Sequence, residues 1–462
     1  MEMNLYQSIG FVITLFVLVG LSVYSGKKAK GKSFSGGKSA STTIVAGTII
    51  GTLVGGSSTI GTAQLAYNYG MSAWWFTLGA GLGCLIMAIW FVKPFRAQNK
   101  LTITGMVNDV YGPKVGLTAT LLSSLGIFVN IIAQLIAATT IIAIFVPDAS
   151  ILVMALIAAA LMVTSVIFGG VTSAGMVGIL KTALLYLACI GGGLVALSLF
   201  GGVDQIVNNP VLDHDTYFNI FARGVGKDLG AGLSLLVGVL STQTYVQAVL
   251  AGKSDAVAVK GALISAALIP PIGIGGILIG LYMRVNYPDL ANAKFAFPTF
   301  VLDNMPPLLG GVIIATLLIA VVGTGSGLAL GISTIINQDI VQRVTKKFAS
   351  PEKSMLITRI CIVVILFVAS FFTTGALGDI ILDFSFMSMG LRGAVLFVPL
   401  LCLLFFRRRV KGVYALASVI AGPVAVFVGN FFIKSFDPLF IGIAINMIIM
   451  GIGLLNADKP EA

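Results

Sequence analysis

The chain has 462 residues, 57% of them hydrophobic and only 10% charged, with a mean hydropathy of +1.04. A soluble domain carries about 25% charged residues, so this composition excludes an ordinary soluble protein or soluble enzyme. The net charge of +11 does not mark a nucleic-acid binder, because the basic residues fall in alternate loops between apolar runs, which is the topology signal of a membrane protein.

In chain order, thirteen runs read as membrane-crossing helices, each long enough for a hydrocarbon core of about 30 Å. The first covers 5–24. It begins Met1-Glu2-Met3-Asn4, without a basic start, and its lysines follow the apolar run. That order predicts an uncleaved helix with an outer N-terminus rather than a signal peptide. The others are 42–68, 72–92, 115–146, 149–168, 173–200, 229–250, 259–283, 307–336, 355–374, 379–406, 412–433 and 439–456. The expected fold is an all-α polytopic membrane protein. The connections at 201–228 and 284–306 are too short for a separate domain, so residues 1–462 read as one.

With the 27–38 loop placed in the cytoplasm, 21 Lys and Arg residues fall inside and 5 outside, with Lys181 and Arg392 left within spans. An odd span count then puts the C-terminus in the cytoplasm. Trp74, Trp75 and Trp90 lie near the ends of one span, where interfacial aromatics belong. Cys84, Cys189, Cys361 and Cys402 lie in apolar stretches without metal-type spacing and read as small packing residues. His214 falls in a polar loop and reads as solvated. No Asn-x-Ser/Thr sequon occurs, which points to a bacterial source and hence the inner cell membrane.

Four places break the apolar pattern. Gly55-Gly56-Ser57-Ser58-Thr59 lies mid-span, and each glycine costs a helix interior roughly 1 kcal/mol. Two readings are open: an unwound helix whose carbonyls bind a cation or solute, or a tightly packed Gly/Ser interface. Ala320-Val321-Val322-Gly323-Thr324-Gly325-Ser326-Gly327 is the second place, with Ala320, Gly323 and Thr324 sharing a face, as Gly51 and Val54 do on the earlier helix. Lys181 is the third. An intramembrane lysine costs at least about 2.5–3.5 kcal/mol and usually serves function; the other reading is a side chain that snorkels to the cytoplasmic interface. Arg392 is the fourth, with no acid within a helical turn. It reads either as tied to backbone carbonyls or as a ligand for an anionic group.

Several segments together resemble the sodium/solute symporter family, which includes bacterial proline, galactose and sialic-acid carriers. They are Gly36-Gly37-Lys38-Ser39, Ala66-Tyr67-Asn68-Tyr69-Gly70-Met71-Ser72, Ser241-Thr242-Gln243-Thr244-Tyr245-Val246-Gln247 with Ala251-Gly252-Lys253-Ser254-Asp255, Pro306-Pro307-Leu308-Leu309-Gly310-Gly311, and Val398-Pro399-Leu400-Leu401-Cys402 ahead of Arg407-Arg408-Arg409. The resemblance implies a leucine-transporter-type fold, an inverted repeat of five plus five helices with a broken first helix in each half. The halves would be 42–200 and 229–406, with 5–24 before them and two helices (412–456) after.

The family's sodium site, carried over by resemblance, maps its carbonyls to Gly51, Val54 and Ala320 and its hydroxyl pair to Gly323 and Thr324, so one hydroxyl is missing. A Thr-Asp-x-x-Gln pattern of the family aligns from Gly169-Gly170 to put Gly178 at the Asp and Lys181 at the Gln. The site has thus lost oxygen and negative charge and gained an ammonium, which can satisfy a carbonyl cage with three N–H donors. The expectation is a sodium-independent carrier in which Lys181 replaces the ion. Burial disfavours a charged amine, so proton coupling is a second expectation. A metal, if any, would be sodium at Gly51, Val54, Ala320 and Thr324.

Ser57, Ser58, Asn130, Gln134, Ser241, Gln243 and Arg392 are the candidates for binding solute. Cationic candidates without a deep acid favour a carboxylate or an amino acid, moved by alternating access. The alternatives are a conventional sodium symporter, and a solute-binding membrane sensor, for which the tail at 456–462 shows no output domain. Neither catalysis nor a cofactor is expected. The partners are a small solute, the lipid bilayer and a proton or sodium ion, with no nucleic acid.

Overall fold

Apolar runs become helices because lipid offers backbone N–H and C=O groups no outside partner. The computed structural model describes residues 3–28, 38–100, 102–169, 174–341, 351–374, 380–406 and 410–457. Gly36, Gly37, Gly170, Arg407, Arg408, Arg409 and much of the basic 27–38 loop lie outside the described residues.

The helices are α1 (Leu5–Lys28), α2 (Thr42–Leu53), α3 (Thr62–Tyr69), α4 (Trp75–Ile86), α5 (Val92–Ala97), α6 (Ile103–Tyr111), α7 (Pro113–Ile142), α8 (Ile151–Gly169), α9 (Ala174–Tyr186) and α10 (Gly192–Phe200). They continue with α11 (Val203–Val207), α12 (Val225–Ser241), α13 (Gln243–Leu250), α14 (Asp255–Asn286), α15 (Ala296–Asn304), α16 (Pro307–Ile335), α17 (Pro351–Phe371), α18 (Ile381–Phe405), α19 (Gly412–Phe432) and α20 (Leu439–Leu455). Among the described residues the only β-type pairing is an isolated bridge between Ala40 and Gly252.

By length and composition, eight described helices can cross a membrane, or nine if α12 and α13, bent by 48°, form one span. Four shorter apolar helices, Leu5–Val17, Thr42–Leu53, Ile151–Val166 and Leu439–Leu455, accompany them. Some expected spans are built from pieces. The 42–68 run is α2, a π-helical turn at Ser57–Gly61, and α3. The chain then reverses at Gly70, whose φ of +52° suits glycine. Contacts along α14 trace the resulting hairpin. Gly276 and Gly280 face Thr62, Ala63 and Ala66, whereas Gly273 and Gly81–Pro270 mark the returning α4.

Two broken helices sit at the centre. After Leu53 the backbone is extended at Val54 (ψ 104°). After Ser241 it is extended at Thr242 (ψ 122°). Helices α7, α16 and α18 pack around the first break, and α4 and α18 flank α12. Below the second break, Arg96 Nη1 donates to the carbonyls of Val249, Leu250 and Gly252, while its Nε meets Asp255 at 2.6 Å. This caps the end of α13, where carbonyls have no helical partner.

The first helix docks by backbone proximity. A Cβ on Gly311 would stand 1.9 Å from Gln7 O, and one on Gly10 would stand 2.2 Å from Leu308 O. Small residues let membrane helices approach this closely. The Pro306–Gly311 segment is thus the seat of α1, fixed further by Gln7 Nε2 donating to Leu302 O at 2.8 Å.

Candidate functional site

The break after α2 is a sequence-encoded defect with its hydrogen bonds repaired by side chains. Gly55 N donates to Ser58 Oγ at 2.9 Å, and the hydroxyls of Ser58 and Thr59 donate to Gly55 O. Gly56 N donates to Gln134 Oε1, on α7, at 3.0 Å. Buried amides need such partners. The glycines also set the spacing. A Cβ at Gly55 would stand 2.7 Å from Thr324 Oγ1 and 2.9 Å from Gln134 Oε1, and one at Gly56 would stand 2.4 Å from Ala137 Cβ.

Beside Gly55 lies the first polar site. Lys181, only 7% exposed, reaches from α9 to the end of α2 and the middle of α16. Its Nζ donates to Gly51 O at 2.7 Å and to Thr324 Oγ1 at 2.9 Å. The side chain is therefore turned into the protein rather than to the membrane surface. Val54 and Ala320 are fully buried within this region. Gly323 is exposed, and a Cβ there would meet nothing within 4 Å. Helix α16 runs unbroken through Ala320–Gly327.

On the other side of Gly55, Gln134 organises a second cluster. Its Nε2 donates to Ser57 Oγ (3.1 Å) and Asn130 Oδ1 (3.4 Å). Ser57 Oγ lies 2.6 Å from Ser385 Oγ on α18, which also donates to Asn130 Oδ1 at 3.4 Å. All four side chains are at most 7% exposed. The group offers neutral hydroxyl and amide partners to a small polar solute.

The remaining predicted residues lie elsewhere. Ser58 is spent on the break itself. Arg392, 1% exposed, donates through Nε to Ser388 O, through Nη1 to Thr242 Oγ1 at 2.9 Å, and through Nη2 to Ser388 Oγ and Met389 Sδ. These partners carry no charge. Ser388 Oγ in turn donates to Gly126 O at 2.6 Å. Ser385 and Arg392 are seven residues apart on one helix, about 10 Å of rise. Ser241, beside the α12–α13 break, is buried, and its hydroxyl has no partner among the described residues. Gln243 Oε1 accepts from Ile103 N, at the start of α6.

Sequence reading missed Ser385, Ser388 and Thr242. A signal existed for two of them: Ser385, Ser388 and Arg392 follow i, i+3, i+7 spacing, one face of a helix.

The whole arrangement matches known carriers. A solved structure of a substrate-bound, outward-open Na+-coupled sialic acid symporter superposes with a TM-score of 0.78 at 18% identity, covering 99% of both chains. Mhp1, a nucleobase-cation-symport-1 family transporter, superposes with a TM-score of 0.59 at 13% identity, covering 91% of this chain and 94% of that one. These likenesses show the leucine-transporter-type fold. In sequence, the chain is 30% identical over 237 residues to an uncharacterized symporter, YidK, of Escherichia coli (strain K12), across 48% of this chain and 39% of that protein. The chain thus matches less than half the length of that relative. A family model described as Sodium:solute symporter family matches residues 34–422. Broken helices around a buried polar centre, in an all-helical membrane protein with this match, place the chain in the sodium:solute symporter family of secondary transporters.

Proposed function

We propose that this carrier moves a small carboxylate or amino acid by alternating access without sodium, the Lys181 ammonium standing where relatives hold the ion. One observation carries the reading: Lys181 Nζ occupies hydrogen-bond distance of both Gly51 O and Thr324 Oγ1, two of the oxygens that would ligate sodium. Those residues, with the ammonium among them, do not fit a second cation. Two unit charges 4 Å apart repel by about 4 kcal/mol at an effective dielectric near 20, close to a thousandfold in affinity. A proton carried by the amine is then the coupling ion, since its loss or gain changes what holds α2, α9 and α16 together.

Solute sits in this reading at Ser57, Gln134, Asn130 and Ser385, with Arg392 supplying positive potential two turns further along α18. Residues 1–462 form one transport domain, with repeats at 42–200 and 229–406, the added helices at 5–24 and 412–456, and the C-terminus cytoplasmic in the cell membrane.

The test is uptake of labelled carboxylates into proteoliposomes. Replacing sodium by choline should leave the rate within about twofold, and an inward proton gradient should raise it. A strict sodium requirement would overturn the reading. It would favour instead a sodium symporter using Thr324 and the α2 carbonyls, the cycle that family membership suggests. Stimulation by neutral sugars alone would overturn the carboxylate assignment.

A further inference from the structure

A cavity of about 210 Å³ lies between α12, α18, α19 and the turn before α20. Arg223, Lys227, Lys434, Asp383, Asp437 and Ser234 line it, with Phe386 beneath.

The charges there are unequally engaged. Arg223 is 4% exposed in its side chain and bound to fully buried Asp228, its Nε donating at 2.8 Å. Its Nη1 also reaches Asp383 Oδ1 at 3.2 Å, but that carboxylate is 43% exposed. Asp437 accepts from Leu439 N and Ser234 Oγ, and burial pushes its carboxyl up from the ordinary value. Lys227 and Lys434 stand exposed on the rim. Among the described residues neither has a carboxylate at salt-bridge distance, and Lys434 Nζ donates only to Asn430 O, at 2.9 Å. An arriving anion meets the ammonium groups of Lys227 and Lys434, neither paired with a carboxylate, and a guanidinium whose contact to Asp383 is 3.2 Å long.

We propose that this cavity is a binding site for a small carboxylate, held by Lys227 and Lys434 and competing with Asp383 for Arg223 Nη1. The inference rests on this cavity alone and not on the sodium-free cycle. Occupancy has a structural consequence. The Arg223 guanidinium lies 5.3 Å from the Phe386 ring centroid, next in sequence to Ser385 of the buried cluster. Displacing Asp383 releases the start of α18 from the 219–224 turn. That turn also touches Trp75, whose Nε1 donates to Ile220 O at 2.8 Å and whose ring lies 5.7 Å from Phe221. Binding at the rim is thereby reported to an indole.

The experiment uses the full chain in phosphatidylcholine nanodiscs, titrated with potassium lactate and potassium glutamate by calorimetry and tryptophan fluorescence. Saturable binding is expected, weakened by salt. Lys227→Gln with Lys434→Gln should reduce affinity about tenfold, as loss of two rim charges would, without changing the melting temperature. Ser57→Ala with Gln134→Ala should leave this binding in place while removing uptake, so failure at the buried cluster is told apart from failure here. No saturable binding by wild type would overturn the proposal, as would affinity unchanged by the lysine substitutions. A fluorescence change seen only after phosphatidylglycerol is added would assign the cavity to a lipid phosphate and would also overturn it.

Discussion

Gly55 and Gly323 show how differently two glycines of one site are constrained. A methyl group at Gly55 would collide with Thr324 Oγ1 and Gln134 Oε1, whereas one at Gly323 meets open space. Gly55→Ala should therefore destabilise the protein by about 1–3 kcal/mol, the usual cost of overpacking, and abolish uptake. Gly323→Ala should be neutral or stabilise by up to about 1 kcal/mol, the helix preference for alanine; thermal unfolding in detergent checks both. On the proposed sodium-free cycle, Gly323→Ser should not confer sodium coupling, because its hydroxyl would start in open space rather than beside Thr324, and a sodium-dependent uptake rate in that variant would contradict this. Lys181 was legible in the sequence because a single charge in a long apolar run has few physical excuses. Ser385 was not, since a serine in an apolar helix reads as a packing residue. Only folding brings it 2.6 Å from Ser57.

At the scale of elements, the two breaks were legible to different degrees. Paired glycines followed by hydroxyls advertise the end of α2. The α12–α13 break carries no glycine; the extended residue is Thr242, and its hydroxyl donates to Gly238 O at 2.6 Å while accepting from Arg392. A buried guanidinium is expensive unless its donors are filled. Thr242→Val keeps the shape and removes that acceptor, so stability should fall by about 1.5–3 kcal/mol, the range for a hydrogen bond to a charged group. Thr242→Ser should keep most of it, and the two melting curves compared separate hydrogen bonding from packing. Similarly, Gln134→Leu strands the Gly56 amide in the interior, with an expected loss of about 1–3 kcal/mol and of uptake. The sequence marked Arg392 as anomalous but could not choose its partner, because Thr242 lies 150 residues away.

Across the whole molecule, α7, α16 and α18 hold the α2 break while α9 brings the Lys181 amine to it. Hydropathy made the membrane class plain, yet it could not fix how many spans there are. Lengths blur where helices are assembled from α, π-helical and extended pieces, as at Thr42–Tyr69. Nor could it decide whether Lys181 turns outward or inward, since a four-carbon stem can reach either the interface or the core. The inward geometry brings the Lys181 amine to Gly51 O and Thr324 Oγ1, and the proposed sodium-free cycle rests on that contact. Equilibrium binding of radiolabelled sodium to the purified chain examines that idea without assuming any solute. The account predicts no saturable sodium binding in the wild type. One sodium bound per chain, and lost on Thr324→Ala, would contradict it.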